Sequence, residues 1–256
     1  MPFALTWLPD VLLRAGLKVA EVDGWKNRGR SEMGAVKGVI CHHTAGGPSG
    51  NMPSLNVLIN GRAGLPGPLS QLGLGRDGTY FVIAAGRCNH AGAGNWQGFT
   101  SGNSNFIGIE AEHTGNPATP WPDVQMDAYA RGCAAILKKI GANAIMCAGH
   151  KEYALPVGRK PDPTFNMRDF RRDVAAIMSG TAPAASIIPS ADGAGRPTLR
   201  RGSRGDDVET VQKAVGVEQS GDFDGETEAA VRKFQRINNL VPDGIVGPRT
   251  WAVIAG

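Results

Sequence analysis

The feature that most restricts how this chain can fold is the stretch Ser179–Pro197, SGTAPAASIIPSADGAGRP, which is rich in Ala, Ser, Gly and Pro and nearly uncharged. That is the composition of a linker, and the sequence differs in texture on its two sides. A length of 256 residues also exceeds the usual size of one domain and suits one medium domain plus one small one. We therefore expect a first domain over 1–178, a flexible linker over 179–197 and a second domain over 198–256.

Before the linker, strands and helices interleave. A short helix is expected around Pro9–Ala15, a strand over Val36–Thr44, a second strand over Thr79–Ala84 after the Arg76-Asp77-Gly78 turn, and a third over Phe106–Glu112 between Asn and Gly residues. A long helix opens near Pro122 and places Tyr129, Cys133, Ile136, Leu137 and Ile140 on one face before Gly141 stops it. A last helix begins at Asn166, with Met167, Phe170, Val174 and Ile177 as its apolar stripe and Asp169 suited to its positive end. The alternation predicts a mixed α/β domain.

After the linker, Val208, Val211 and Val215 form one helical stripe, and Val231, Phe234 and Ile237 form another. The segments FDGETEAAV and VGPRTWAVI repeat weakly, with Thr227 and Thr250 in matching places 23 residues apart. Three short helices in about 60 residues make a small all-α bundle whose own core is marginal.

Composition narrows the function less than the motifs do. A net charge of +4 favours an anionic partner, and nucleic acid, an acidic membrane and an anionic cell wall all qualify. There is no run of five like charges, and Arg168, Arg171 and Arg172 read as a solvated helix face, so no nucleic-acid partner is expected. Cys41, Cys88, Cys133 and Cys147 form no C-x-x-C pair and are expected to be reduced, structural thiols. The opening MPFALTWLPDVLLRAGLKV lacks a basic start and carries Asp10 and Arg14 in its apolar stretch, unlike a secretory signal. No apolar run is long enough for a membrane span, so no membrane insertion is expected.

The polar residues at expected strand and loop ends carry the chemistry. They are His42 and His43 in GVICHHTAGG, His150 in MCAGHKEYA and Asp162 in GRKPDPTF, each a candidate zinc ligand. A hydrolytic zinc site takes three protein ligands from His and carboxylate and leaves one position for water. In a strand the adjacent His42 and His43 point to opposite faces, so only one of them readily enters a given site.

Five motifs follow one another along the first part: GVICHHTAG, GRDGTYFV, NHAGAGNW, NFIGIEAEHTG, and the pair AGHKEYA with RKPDPTF. With them, residues 36–178 resemble the type-2 N-acetylmuramoyl-L-alanine amidases, a group that includes phage endolysins, cell-wall recycling amidases and animal peptidoglycan recognition proteins. The resemblance implies a central mixed β-sheet flanked by helices, and hydrolysis of the amide between sugar and peptide stem in bacterial peptidoglycan. It makes His42, His150 and Asp162 the ligands of Zn2+, with His43 a neighbour. It makes Glu110, the glutamate of I-G-I-E, the general base, with Glu112 its rival two residues on. Lys160, two residues before Asp162, would stabilise the oxyanion. Another branch of the family uses a Tyr before its R-D-G turn, where this chain has Ser70. His90, Asn89 and Trp96 of NHAGAGNW, together with His43, are implied as substrate-binding; a histidine behind the site or in a loop is the alternative for His90. Cys41 and Cys147 are assigned to packing.

Residues 198–255 resemble the three-helix peptidoglycan-binding domain, through TLRRGSRGDDVETVQKAV, GDFDGETEAAVRKFQ and LVPDGIVGPRTW. A polar groove near Asp243, Thr250 and Trp251 is the expected contact surface. The combination implies a monomeric phage endolysin, held in the host cytoplasm until release, with bacterial peptidoglycan as partner. A non-catalytic recognition protein and an autolysin or recycling amidase are the alternatives.

Overall fold

The computed structural model describes residues 3–181, 196–238, 240, 242 and 244–255. Residues 182–195 of the expected linker and Asp243 of the expected groove lie outside the described residues. The chain divides into two compact units, one of residues 1–17 and 22–185 and the other of residues 18–21 and 186–256.

Before the linker, in chain order, the elements are α1 (Leu8–Arg14), β1 (Val19–Glu21), β2 (Gly38–His43), α2 (Leu55–Asn60), β3 (Gly61–Arg62), β4 (Leu65–Pro66), β5 (Leu72–Leu74) and β6 (Tyr80–Val82). There follow α3 (Gly102–Asn105), β7 (Phe106–Ala111), α4 (Asp123–Ile140), β8 (Cys147–Gly149), α5 (His150–Tyr153) and α6 (Met167–Ser179). The strands form a six-stranded mixed sheet in the order β1-β6-β5-β7-β2-β8, and β3 and β4 make a separate small hairpin. Strand β2 runs parallel to both β7 and β8, β5 is parallel to β7, and β5 and β6 are antiparallel.

Every residue of β2 is buried, as befits a central parallel strand covered on both faces. Helix α4 packs against α6, α1 and β2. Its stripe Tyr129, Cys133, Ile136 and Leu137 is fully buried, and Gly141 ends it in the left-handed conformation that glycine adopts without penalty. Asn166 caps α6 by accepting from the backbone N–H groups of Arg168 and Asp169. The four cysteines are free and buried, and the thiols of Cys41, Cys133 and Cys147 meet where β2, α4 and β8 come together.

In the second part α7 (Asp206–Val215), α8 (Gly225–Ile237) and α9 (Pro248–Ala255) surround a core of Leu199, Val208, Val211, Phe223, Val231, Val246 and Trp251. The sequence repeat is present as hydrogen bonding. The Gln212 side-chain amide donates to the Asp222 carbonyl and Thr227 hydroxyl and accepts from the Gly221 N–H; Gln235 does the same with the Ile245 carbonyl, Thr250 hydroxyl and Gly244 N–H. The expected stripe on α8, Val231, Phe234 and Ile237, is corrected by a rotation of about one residue position around the helix. Its buried face is Thr227, Glu228, Val231, Arg232 and Gln235, while Ile237 is 70% exposed. Gln235 has to face inward to satisfy the loop before α9, and Ile237, two residues on, is then carried outward.

Candidate active site

Strands β2, β7 and β8 deliver the polar residues to one place. The pairing register sets His42 beside Glu110, so both side chains rise from the same face of adjacent strands. His150 follows β8 directly, at the first position of α5. That start is secured by Glu152, which accepts from the Gly149 N–H and is held by a two-pronged ion pair with Arg171. Asp162 comes in on the loop after α5, which is tied back by the Lys151 N–H to the Asp162 carbonyl and by the Lys151 ammonium to the Phe165 carbonyl. Tyr129 of α4 anchors the end of β2: its hydroxyl accepts from the His42 N–H and lies within donating distance of the His42 and Ile109 carbonyls.

The three facing atoms are close together. His42 Nδ1 and His150 Nδ1 are 3.0 Å apart, and Asp162 Oδ2 lies 3.2 Å from the first and 3.0 Å from the second. All three residues are buried. Ligands of a tetrahedral zinc stand roughly 3.3–3.6 Å from one another, and two imidazoles with one carboxylate are a donor set that zinc favours. The trio fits a metal ion of that kind. The rear nitrogens are engaged elsewhere, His150 Nε2 with the Ala91 carbonyl at 3.0 Å and His42 Nε2 with His90 Nδ1 at 3.0 Å.

Burial shapes the electrostatics. It lowers the His42 imidazole to about 4, helped by the neighbouring His150 and opposed by Asp162, so the ring is neutral and able to coordinate. For Asp162, burial works against the charged form, but hydrogen bonds and charge from His150 and His42 outweigh it and hold the carboxyl well below the usual range. Glu110 goes the other way. Burial, then the charge of Asp162, pushes it up to about 8, while Lys160 pulls it down.

The two candidate carboxylates have opposite surroundings. Glu112 accepts from the Thr44 hydroxyl at 2.7 Å, the Ser54 N–H at 2.9 Å and the Ser54 hydroxyl at 3.1 Å. It is fully buried and ties down the loop after β2, in contrast to the solvated carboxylate common at a strand end. Glu110 Oε1 lies 3.9 Å from His42 Nδ1, and its Oε2 is buried with no partner.

The remaining residues fall on several sides of this cluster. Lys160 is close enough for its charge to act on both His42 and Glu110. His43 turns to the opposite side of β2, its ring centroid 5.8 Å from that of His113 and 6.4 Å from that of Trp121. Asn89 donates to the Pro66 carbonyl, the Trp96 indole donates to the Ile145 carbonyl, and the guanidinium of Arg171 lies over the Trp96 ring. Both ring nitrogens of His90 are engaged inside the protein, by His42 and by the Phe106 carbonyl. Ser70 is fully buried. The anchoring role of Tyr129 escaped the sequence reading, in which this residue was one member of an apolar stripe; a hydroxyl amid that stripe was the available signal.

Among solved structures, the chain is similar to the N-acetylmuramyl-L-alanine amidase AmiD from E. coli (17% identity, covering 92% of this chain and 95% of that one, TM-score 0.45). It is also similar to an AmpD derivative (23%, 55% and 85%, TM-score 0.46) and to LysC of Clostridium intestinale (16%, 61% and 97%, TM-score 0.46). A curated protein of Kitasatospora aureofaciens, described as an uncharacterized protein in the bpoA1 3' region, is 43% identical over 63 residues, which are 22% of this chain and 53% of that protein. The chain thus spans about half the length of the curated relative it matches. Residues 204–254 match the family described as putative peptidoglycan binding domain. Residues 32–165, more than half of the chain, match the family described as N-acetylmuramoyl-L-alanine amidase and contain all the residues that converge at His42, and to that family the chain belongs.

Proposed function

We propose that the protein is a zinc-dependent amidase that hydrolyses the bond between the lactyl group of N-acetylmuramic acid and the L-alanine of the peptide stem in bacterial peptidoglycan. The observation that carries this reading is the convergence of His42 Nδ1, His150 Nδ1 and Asp162 Oδ2 within 3.2 Å of one another, beside a carboxylate with an unpartnered oxygen. When bound by these three residues, zinc supplies Lewis acidity toward a carbonyl oxygen and makes water more acidic.

The protein's own groups do the rest. Glu110 takes a proton from the attacking water and returns it to the departing alanine nitrogen as the carbon–nitrogen bond breaks. Lys160 places positive charge where the carbonyl oxygen becomes negative. Burial and Asp162 on their own favour the protonated form of Glu110 at neutral pH. Zinc held by His42, His150 and Asp162 would supply positive charge that opposes both effects and favours the carboxylate that a base requires. Asn89 and Trp96 are proposed to border the substrate.

The setting we propose is intact cell wall, as for a phage endolysin, because residues 204–254 would hold the catalytic part at an insoluble polymer and raise its local concentration there. A recycling amidase acting on soluble fragments gains nothing from such a tether. Digestion of purified peptidoglycan tests the reading: new L-alanine amino termini that disappear on chelation support it, and reducing sugar ends or other amino termini overturn it.

A further inference from the structure

The two metal-facing histidines are oriented from behind by different kinds of group. His150 Nε2 lies 3.0 Å from the carbonyl oxygen of Ala91. A carbonyl can only accept, so this nitrogen is the donor, and in the neutral ring that binds a metal His150 Nδ1 keeps its lone pair. His42 Nε2 instead lies 3.0 Å from Nδ1 of a second imidazole, that of His90, with the two rings almost perpendicular at 88°. An imidazole nitrogen can donate or accept, so this contact alone leaves the tautomer of His42 open.

The next contact closes it. His90 Nε2 lies 3.2 Å from the carbonyl oxygen of Phe106, at the start of β7. That nitrogen must carry the proton of the neutral ring, and His90 Nδ1 is then an acceptor. His42 Nε2 is the donor toward it, and His42 Nδ1 is left with its lone pair toward His150 Nδ1 and Asp162 Oδ2. We propose that His90 is a positioning residue that sets the tautomer of His42 through this chain, from His42 to His90 to the Phe106 carbonyl, and so keeps His42 Nδ1 free of a proton for the metal. With the opposite tautomer, the proton would point into the ligand set and would have to be expelled before a cation could enter.

The surroundings of His90 fit a ring whose orientation matters. The backbone N–H groups of His90 and Ala91 both donate to Asn103 Oδ1, at 2.9 and 2.7 Å. Its ring lies against Gly108, where a Cβ would stand 2.7 Å from His90 Cγ and 2.8 Å from His90 Nδ1. The glycine of the IGIE motif thus provides the space that holds this ring on the axis of His42.

The proposal rests on the reading of His42 as a zinc ligand, and the test separates the two. Zinc affinity is measured on the full chain by competition with a chromophoric chelator, for the wild type and for His42→Ala, His90→Phe and His90→Asn. His90→Phe keeps the bulk but removes the acceptor and should weaken zinc roughly 10- to 100-fold, the usual loss when an outer partner of a ligating histidine is removed. His90→Asn puts Oδ1 where Nδ1 stood and should recover most of that loss. Wild-type affinity in His90→Phe, or equal losses in both variants, overturns the proposal. Wild-type affinity in His42→Ala instead overturns the zinc reading beneath it. A second measurement needs no variant: in 15N spectra of the zinc-loaded wild type, His42 and His90 should both carry their proton on Nε2, with coupling across the hydrogen bond from His42 Nε2 to His90 Nδ1. A proton on His90 Nδ1 overturns the proposal.

Discussion

Both parts of the chain bury polar side chains, and they do so in opposite ways. In the second part Gln212 and Gln235 each have a donor and an acceptor matched to a backbone group and a threonine hydroxyl. In the first part, His42, His150 and Asp162 crowd three lone-pair atoms into one place, and Glu110 keeps a buried oxygen without a partner. A satisfied buried network stabilises and specifies a fold. An unsatisfied cluster costs stability and makes sense where a ligand or a reaction completes it. Glu112 and Glu110 repeat the contrast at a separation of two residues, one held by three hydrogen bonds and the other with a buried, unpartnered oxygen and its charge disfavoured.

The largest effect of this contrast falls on Glu110. Glu110→Ala should keep its zinc and lose activity by about 100- to 10,000-fold, as removal of a general base does; kinetics on a soluble muropeptide with a parallel metal assay checks this, and full activity would return the role to Glu112. A pH effect follows from the same group. Its folded value of about 8 lies above the ordinary carboxylate value of 4.5, so the folded state holds the proton more tightly and stability falls as pH rises from about 4.5 to 8. In zinc-free protein, Glu110→Gln should therefore gain stability over the wild type across that window and show no advantage below it, which denaturant melts at several pH values would reveal.

Next come the satisfied groups. Gln212→Ala and Gln235→Ala should each destabilise the second part by about 1–3 kcal/mol, through the partners left unpaired, without changing turnover of a soluble fragment. Unequal losses would show that the 23-residue repeat is not energetically symmetric. Glu112→Gln keeps the shape but weakens the charge-assisted bonds to Thr44 and Ser54, and should cost about 1–2 kcal/mol in thermal melts while leaving Glu110 to act. The smallest effect is expected at Ile237, where Ser should change stability by less than about 0.5 kcal/mol because the side chain is 70% exposed.

Much of the first part is legible from pattern alone. Strand β2, strand β7 and helices α4 and α6 emerge near their expected positions because each is long enough for its period of two or of 3.6 to show. Strands β5 and β8 have three residues each, too few for any period, and their identity depends on the neighbours that pair with them. The stripe on α8 misleads for a related reason: the inward face is chosen by the hydrogen bonds of Gln235, not by the apolar residues alone.

By itself, the sequence determined that the chain has two parts, that the first interleaves strands and helices, and that two histidines and an aspartate with zinc-ligand chemistry lie in motifs resembling those of an amidase. These properties reside in residue type and local spacing. Only the tertiary structure decided which atoms meet. It set His42 in register with Glu110, assigned Glu112 to clamp a loop, and aimed both nitrogens of His90 inward, toward His42 and the Phe106 carbonyl. Protonation, tautomer and the availability of a lone pair depend on burial and on partners distant in sequence, and those come into contact only when the sheet closes.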